Sequence, residues 1–346
     1  MLKIVMLIIK ILLLPVSFLY GVVVEIRNIF YDYGFFKSYK FDVPVISVGN
    51  ITAGGTGKTP FVIWLAKRLS QKYKKIAIIS RGYGRASKGL LVVTDYKNPR
   101  KFGDEPCLIA AGVPQAELIV SERRKAGIEY ALREKKSDLI ILDDAFQHRS
   151  VRRDINIVLI NAIEKFKYNF PIPSGTLREF KHNLKRSDLL ILTNSDNKLS
   201  DDFSLPAKPL FTSRSRLDSV VNFKFEVVGR INDFAGESVT AFSGIAHPEI
   251  FKRGLQKNRI KIENHFTFSD HYAYREEDII RIIKDADERN CKVILCTEKD
   301  LVKIAPLQNR KDLPIRRIYA VRLETEIAEE KKLLKKITDH IDKYMK

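Results

Sequence analysis

Cysteine is scarce: Cys107, Cys291 and Cys296 are the three in 346 residues. So few, so spaced, they support neither a disulfide framework nor a zinc site, and they read as ordinary thiols of a reducing compartment. Internal repeats and low-complexity stretches are missing as well. Acidic side chains are in deficit, 42 Asp+Glu against 61 Lys+Arg, for a net charge of +19. Such an excess favours anionic partners: nucleic acid, acidic lipid headgroups or phosphorylated substrates. The basic residues are dispersed, however, and no recognised nucleic-acid module is present, which argues against nucleic acid. With 45% hydrophobic residues, the chain can bury real cores in one large domain or two ordinary ones.

The longest apolar run, residues 4–24, is interrupted only by Lys10 and Pro15 among its strongly non-apolar positions. No small-residue cleavage site follows it, so a secretory signal is disfavoured. A spanning helix needs about 20 apolar residues, and this run only just qualifies. An interfacial helix accommodates Lys3 and Lys10 by snorkelling toward headgroups. A membrane anchor or monotopic helix is the favoured reading, with a helix buried on the protein's own core as the alternative. The basic surplus then suits an anionic cytoplasmic leaflet.

The run Val48-Gly49-Asn50-Ile51-Thr52-Ala53-Gly54-Gly55-Thr56-Gly57-Lys58-Thr59-Pro60 lies between a strand-like stretch (43–48) and a helix-like one (61–69). Strand, glycine-rich loop, Lys-Thr and helix form the context of a phosphate-cradling P-loop. The glycines let backbone N–H groups turn toward phosphate oxygens, and the helix N-terminus adds partial positive charge. Thr52, Gly54, Gly55, Thr56, Gly57, Lys58 and Thr59 are thus candidate nucleotide-binding residues, with Lys58 reaching the β- and γ-phosphates and Thr59 offering its hydroxyl to Mg²⁺. A strict pattern would need glycine where Thr52 stands. The competing reading is a glycine-rich turn that binds nothing.

Downstream, Ser137-Asp138-Leu139-Ile140-Ile141-Leu142-Asp143-Asp144 reads as a buried parallel strand ending in two carboxylates. Ligands of such sheets sit beyond the strands' carboxyl ends, so Asp143 and Asp144 are candidate metal residues. One would hold Mg²⁺ and the other orient a water or a neighbour; the alternative is a solvated Asp-Asp turn. Further strands are expected at 76–80, 90–94, 117–120, 155–160 and 188–193, with a helix at 123–134 and an antiparallel ribbon near 220–228. A second unit begins near residue 239, with strands at 292–296 and 315–321. The fold class is α/β: a P-loop NTPase-type, doubly wound, mostly parallel sheet, a second smaller α/β domain and an N-terminal membrane-associated helix. The expected divisions are an anchoring helix at 1–25, a P-loop core at 26–218, a hinge ribbon at 219–229, a smaller domain at 230–325 and a terminal helix at 326–346.

Polar clusters interrupt these elements: Ser80-Arg81-Gly82-Tyr83-Gly84-Arg85, Gly103-Asp104-Glu105-Pro106, Asp143-Asp144-Ala145-Phe146-Gln147-His148-Arg149, Leu177-Arg178-Glu179, Ser269-Asp270-His271-Tyr272 and Thr297-Glu298-Lys299-Asp300. With the P-loop and the apolar N-terminus, they resemble the tetraacyldisaccharide 4'-kinase family from the anchor to about Lys303. That family also lacks glycine at the position of Thr52. Two departures stand out: Ala145 where the family usually has glycine, and Pro173-Ser174-Gly175-Thr176 where it usually has Pro-Ala-Gly-Pro.

The resemblance implies an enzyme that transfers the ATP γ-phosphate to the 4'-hydroxyl of a tetraacyldisaccharide 1-phosphate in lipid A biosynthesis. The implied cofactors are ATP and Mg²⁺, and the implied location is the cytoplasmic face of the bacterial inner membrane, as a monomer on an anionic surface. Lys58 would neutralise charge, and Asp104, polarised by His271 of the second domain, would be the base; residues from two domains would imply closure that excludes water. Asp104 could instead be a helix N-cap, and His271 a surface-loop histidine. Glu179 would be a partner of the metal carboxylates or a solvated charge. Gln147 and His148 would orient phosphate or carboxylate groups. Ser80, Arg81, Tyr83 and Arg85 would meet headgroup or nucleotide, with Tyr83 as plain packing a rival. Thr297-Glu298-Lys299-Asp300 would touch ATP or merely cap the next helix. The rival functions are a P-loop ATPase without a lipid acceptor and a basic nucleic-acid-binding protein.

Overall fold

The structure, a computed structural model, describes residues 2–163, 169–194, 205–310 and 315–344. The apolar N-terminus forms two helices, α1 (Leu2–Leu12) and α2 (Leu14–Asp32). Pro15 falls in the first turn of α2, where its missing N–H would have had no partner anyway. The helix runs past residue 25, where the anchor was expected to end. β1 (Val45–Asn50), α3 (Lys58–Leu69) and β2 (Ile76–Ser80) come next. They are followed by β3 (Leu91–Val92), α4 (Pro99–Phe102), α5 (Asp104–Gly112), β4 (Glu117–Val120), α6 (Arg124–Glu134), β5 (Leu139–Asp143), β6 (Ile155–Asn161) and β7 (Leu189–Thr193). The remainder comprises β8 (Leu210–Val221), β9 (Val227–Arg230), β10 (Ser238–Ser243), α7 (Pro248–Lys257), β11 (Lys261–Thr267), α8 (Glu276–Glu288), β12 (Val293–Thr297), α9 (Glu298–Ile304), β13 (Ile318–Ile327) and α10 (Glu330–Tyr344). The terminal helix starts later than expected because β13 continues to Ile327. Residues 1, 345 and 346 of the expected terminal segments lie outside the described residues.

The chain divides into two compact units, each discontinuous in sequence. The first takes Met1–Ser80, Arg123–Arg214 and Glu326–Lys346. Its sheet is parallel: β1 lies between β5 (Val48 opposite Asp143) and β6 (Gly49 opposite Val158), β2 flanks β5, β7 flanks β6, and the start of β8 adds to β7. β1, β2, β5 and β7 are buried along their whole length, as continuous apolar strands covered on both faces must be. Ile51, Phe146, Val158, Leu177, Leu184 and Leu192 share one core cluster beside the loop that follows β1.

The second unit takes Arg81–Glu122 and Ser215–Thr325. β10 pairs in parallel with β11 and β12, and β12 with β13. The expected ribbon is the antiparallel pair of β8 and β9. Val239, Phe251, Leu255, Ile260, Leu295 and Val321 pack in its core. α5 packs on α9 within this unit.

Candidate active site

In the first unit, β1 delivers the chain into the glycine-rich loop, and α3 leaves it at Lys58. Gly57 occupies the N-cap of α3 at φ 78°, a left-handed conformation that favours glycine. Ala53, Gly54 and Gly55 are exposed, whereas Thr52 and Thr56 are buried. Thr52 bridges to Leu177. The Thr56 hydroxyl accepts from Asn50 Nδ2 at 2.9 Å, and its carbonyl accepts from the Thr193 hydroxyl at 3.0 Å. Both threonines therefore brace the loop from inside, while its outer rim stays open. Thr59 is half-buried in the first turn of α3.

Lys58 Nζ lies 3.5 Å from Asp144 Oδ1. Asp144 has φ 47°, an uncommon conformation held at the end of β5, and Arg178 Nη1 stands 2.9 Å from both its carboxylate oxygens. Burial raises the Asp144 carboxyl, but Lys58 and Arg178 outweigh it and hold the group below its ordinary range. Asp143 is buried, and its Oδ2 accepts from the Ser80 hydroxyl at 2.8 Å. The buried Arg124 donates to the Asp143 carbonyl at 3.0 Å, fixing the strand end.

Gln147 is turned inward. Its Nε2 donates to the Asn50 carbonyl and to Glu179 Oε1, each at 2.8 Å. His148 pairs with the Ser150 hydroxyl at 2.9 Å. Glu179 is fully buried, and its Oε2 accepts from Asn28 Nδ2 at 3.1 Å and from Arg186. Among the described residues no group of three or more His, Cys, Asp or Glu side chains converges to hold a metal ion, so Glu179 does not join Asp143 and Asp144 in an acidic cluster. The two departures noted in the sequence fit quietly: Ala145 is buried, and the Ser174 hydroxyl donates to the Lys10 carbonyl at 2.8 Å.

In the second unit, Asp104 opens α5 and is almost fully buried. The cap position belongs to Gly103 rather than to Asp104, whose Oδ1 accepts from the N–H of Glu105 at 3.0 Å. Its Oδ2 lies 3.0 Å from His271 Nδ1 and 3.7 Å from Lys299 Nζ. Asp104 and His271 thus meet inside one unit, not across two domains, because the segment around α5 clusters with the later part of the chain. Burial pushes the Asp104 carboxyl up, but the His271 hydrogen bond and the Lys299 charge outweigh it and bring the group to about 2. The hydrogen bond to Asp104 raises His271 above its ordinary value against the opposing effect of burial. Lys299 also donates to Asp270 Oδ1 at 3.0 Å. Tyr83 sets its ring edge-on to His271, with centroids 5.9 Å apart.

Lys299 is the member that the sequence reading leaves undecided. Its neighbours do structural work: Thr297 caps α9 by accepting from the N–H of Asp300, and Asp300 accepts from Gly244 N, Tyr274 and Lys303. Lys299, between these two capping residues, is instead turned toward carboxylates, with its Nζ 3.0 Å from Asp270 and 3.7 Å from Asp104. Arg85, by contrast, is spent on Glu122 at 2.5 Å. The three cysteines are free and buried, and burial pushes the Cys107 thiol up to about 12.

A parallel α/β sheet, a glycine-rich loop running into a Lys-Thr helix start and carboxylates at the end of β5, the strand paired with β1, define a nucleotide-binding unit of the P-loop class. The family model described as tetraacyldisaccharide-1-P 4'-kinase matches residues 9–342. Tetraacyldisaccharide 4'-kinase of Aquifex aeolicus is 36% identical over 329 residues, covering 94% of this chain and 97% of its own. That of Chlorobaculum tepidum is 40% identical over 310 residues, covering 85% and 87%. The crystal structure of an "apo" form of LpxK from Aquifex aeolicus in complex with ATP superposes with a TM-score of 0.80 at 35% identity, covering 96% of this chain and 99% of that one. The chain belongs to the tetraacyldisaccharide-1-P 4'-kinase family.

Proposed function

We propose that this protein is an ATP-dependent lipid kinase, transferring the γ-phosphate to the 4'-hydroxyl of a tetraacyldisaccharide 1-phosphate. Family membership supports the reaction, and one observation carries it: Lys58 stands at the start of α3, at the end of the open loop, 3.5 Å from Asp144. There an ammonium meets the β- and γ-phosphates of a bound nucleotide. A bond forms between the acceptor oxygen and the γ-phosphorus as the bond from that phosphorus to the ADP oxygen breaks.

The hydroxyl proton passes to Asp104. At about 2, its carboxylate is ionised at neutral pH. A loose phosphoryl-transfer transition state makes little demand on base strength, so positioning outweighs basicity. His271 and Lys299 supply the positioning, at 3.0 and 3.7 Å.

Mg²⁺ takes hard oxygen donors, few of them from protein, and keeps water and phosphate oxygens for the rest. The Thr59 hydroxyl at the start of α3 and the Asp143 carboxylate at the end of β5 are donors of that kind, one hydroxyl and one carboxylate. They would hold the ion, since Asp144 already faces Lys58 and Arg178. When bound, Mg²⁺ neutralises charge developing on the phosphate.

A lipid acceptor accounts for α2, which is long and apolar enough to cross a membrane by length and composition. One of its faces bonds to the 123–214 segment of the same unit, while Phe18, Leu19 and Val23 are exposed. A helix bonded along one side suits the interface of the inner membrane's cytoplasmic leaflet better than a lone span.

The test is transfer of labelled γ-phosphate from Mg-ATP to tetraacyldisaccharide 1-phosphate in micelles. Labelled lipid is expected from the wild type, falling about a hundredfold or more in Lys58→Ala and Asp104→Ala. ATP hydrolysis without labelled lipid would replace this reading with that of an ATPase.

A further inference from the structure

α2 reaches the phosphate-binding loop through buried polar groups. Asn28 is fully buried, with Ser17 and Gly21, on a helix whose opposite side carries the exposed Ile26, Ile29 and Phe30. An amide on such a helix is costly to bury unless it is bonded. Its Nδ2 donates to Glu179 Oε2 at 3.1 Å; Glu179 Oε1 accepts from Gln147 Nε2 at 2.8 Å; the same Nε2 donates to the Asn50 carbonyl at 2.8 Å. Asn50 in turn donates to the Thr56 hydroxyl at 2.9 Å, inside the loop.

A second set of contacts runs beside the first. The loop entry is bonded to the segment around Leu177, with Ala53 N donating to the Thr176 carbonyl at 2.6 Å and Arg178 N to the Ile51 carbonyl at 2.8 Å. That segment is held from its far side by α2: the Tyr20 hydroxyl donates to the Arg178 carbonyl at 3.1 Å, and the Ser17 hydroxyl accepts from Ser174 N at 2.7 Å. Arg27 of the same helix donates to the Gln147 carbonyl at 2.7 Å. Ser17, Tyr20 and Asn28 lie on one helical face, i, i+3 and i+11.

We propose that α2 is a structural part of the nucleotide site, with Asn28 a positioning residue that, through Glu179 and Gln147, holds the phosphate-binding loop in shape for ATP. The proposal rests on the kinase reading of that loop. It makes Glu179 a brace, not a metal ligand, since its oxygens are taken by Gln147, Asn28 and Arg186. It also couples a helix that meets lipid on one side to a loop that meets ATP on the other.

The full chain in detergent, without lipid, is titrated with Mg-ATP by calorimetry, and the KM for lipid is measured separately. Asn28→Ala and Asn28→Leu are expected to weaken ATP binding about tenfold, the usual cost of losing an outer partner of a site, with the lipid KM unchanged. Asn28→Leu is decisive, because it makes α2 more apolar: a helix acting only as an anchor would keep ATP affinity and hold lipid at least as well. Tyr20→Phe preserves the ring and removes one hydrogen bond, so it is expected to fold and to weaken ATP binding about threefold. Leu19→Asp, on the exposed face, is expected to raise the lipid KM and leave ATP affinity intact. Wild-type ATP affinity in Asn28→Leu and Tyr20→Phe overturns the proposal. Failure of the wild type itself to bind ATP overturns the kinase reading instead.

Discussion

Asp104 and His271 show how one hydrogen bond moves two groups in opposite directions. The carboxylate is held at about 2 against an ordinary 3.8, and the imidazole is raised above an ordinary 6.5. A group whose folded value is lowered stabilises the fold above its unfolded value and loses that contribution as pH falls through the folded one. For Asp104 the loss runs from 3.8 down through about 2. A group whose folded value is raised stabilises the fold below its unfolded value and loses the contribution as pH rises through the folded one. For His271 that loss begins above 6.5. The pair therefore contributes fully between 3.8 and 6.5. The imidazole titration of His271, followed by NMR, is expected to shift to lower pH in Asp104→Asn. The destabilisation caused by that substitution is expected to be largest inside the window and to shrink on its alkaline side. An unmoved His271 midpoint would show that the two side chains do not interact in solution.

At the scale of elements, β1 and the turn after β5 depend on a close approach. A Cβ on Gly49 would lie 2.7 Å from both Cβ and N of Phe146, and Phe146 belongs to the core cluster that backs the loop. Gly49→Ala must push β1 and that turn apart, and overpacking of this kind typically costs about 1–3 kcal/mol. Urea unfolding is expected to show that loss; ATP affinity should fall with it, because Asn50 and Gln147 flank the displaced backbone. The buried strands β1, β2, β5, β6 and β7 were legible because Val/Ile/Leu-rich runs ending in a small polar residue (Asn50, Ser80, Asp143, Asn161 and Thr193) have one common structural solution. β11 was not: Glu263, Asn264 and His265 interrupt it, and only tertiary pairing with β10 makes it a strand. α8 carries Ile279, Ile282, Ile283 and Ala286 at helical spacing and was readable in principle. The placement of Lys58 at the start of α3 and of Asp143 and Asp144 at the end of β5 was visible in type and order. The inward turn of Gln147 and Glu179 was not, since their partners Asn50 and Asn28 stand 97 and 151 residues away. Nor was the pairing of Asp104 and His271 within one unit, because chain order hides the association of 81–122 with the later segment.

For the whole molecule, the excess of 61 Lys+Arg over 42 Asp+Glu is a property no single site needs. Basic side chains near an anionic leaflet each contribute on the order of 1 kcal/mol, and only within a Debye length of the surface. That length falls from about 30 Å to about 3 Å as ionic strength rises from about 0.01 M to about 1 M. Apolar contact is not screened in this way: on the proposed interfacial placement, the exposed side chains of α2, with Leu19 at 64% and Phe18 at 66% exposure, would keep their affinity for the interface in salt. The two contributions are therefore separable by titration. Co-sedimentation of the full chain with vesicles containing phosphatidylglycerol is expected to weaken steeply with salt and then level off above zero. With vesicles of phosphatidylcholine alone, binding should start near that plateau and vary little. Leu19→Asp should lower the plateau in both vesicle types while leaving the salt-dependent part in place. Binding that vanished entirely at high salt would make the association one of charge alone and leave the apolar face of α2 without a part in it.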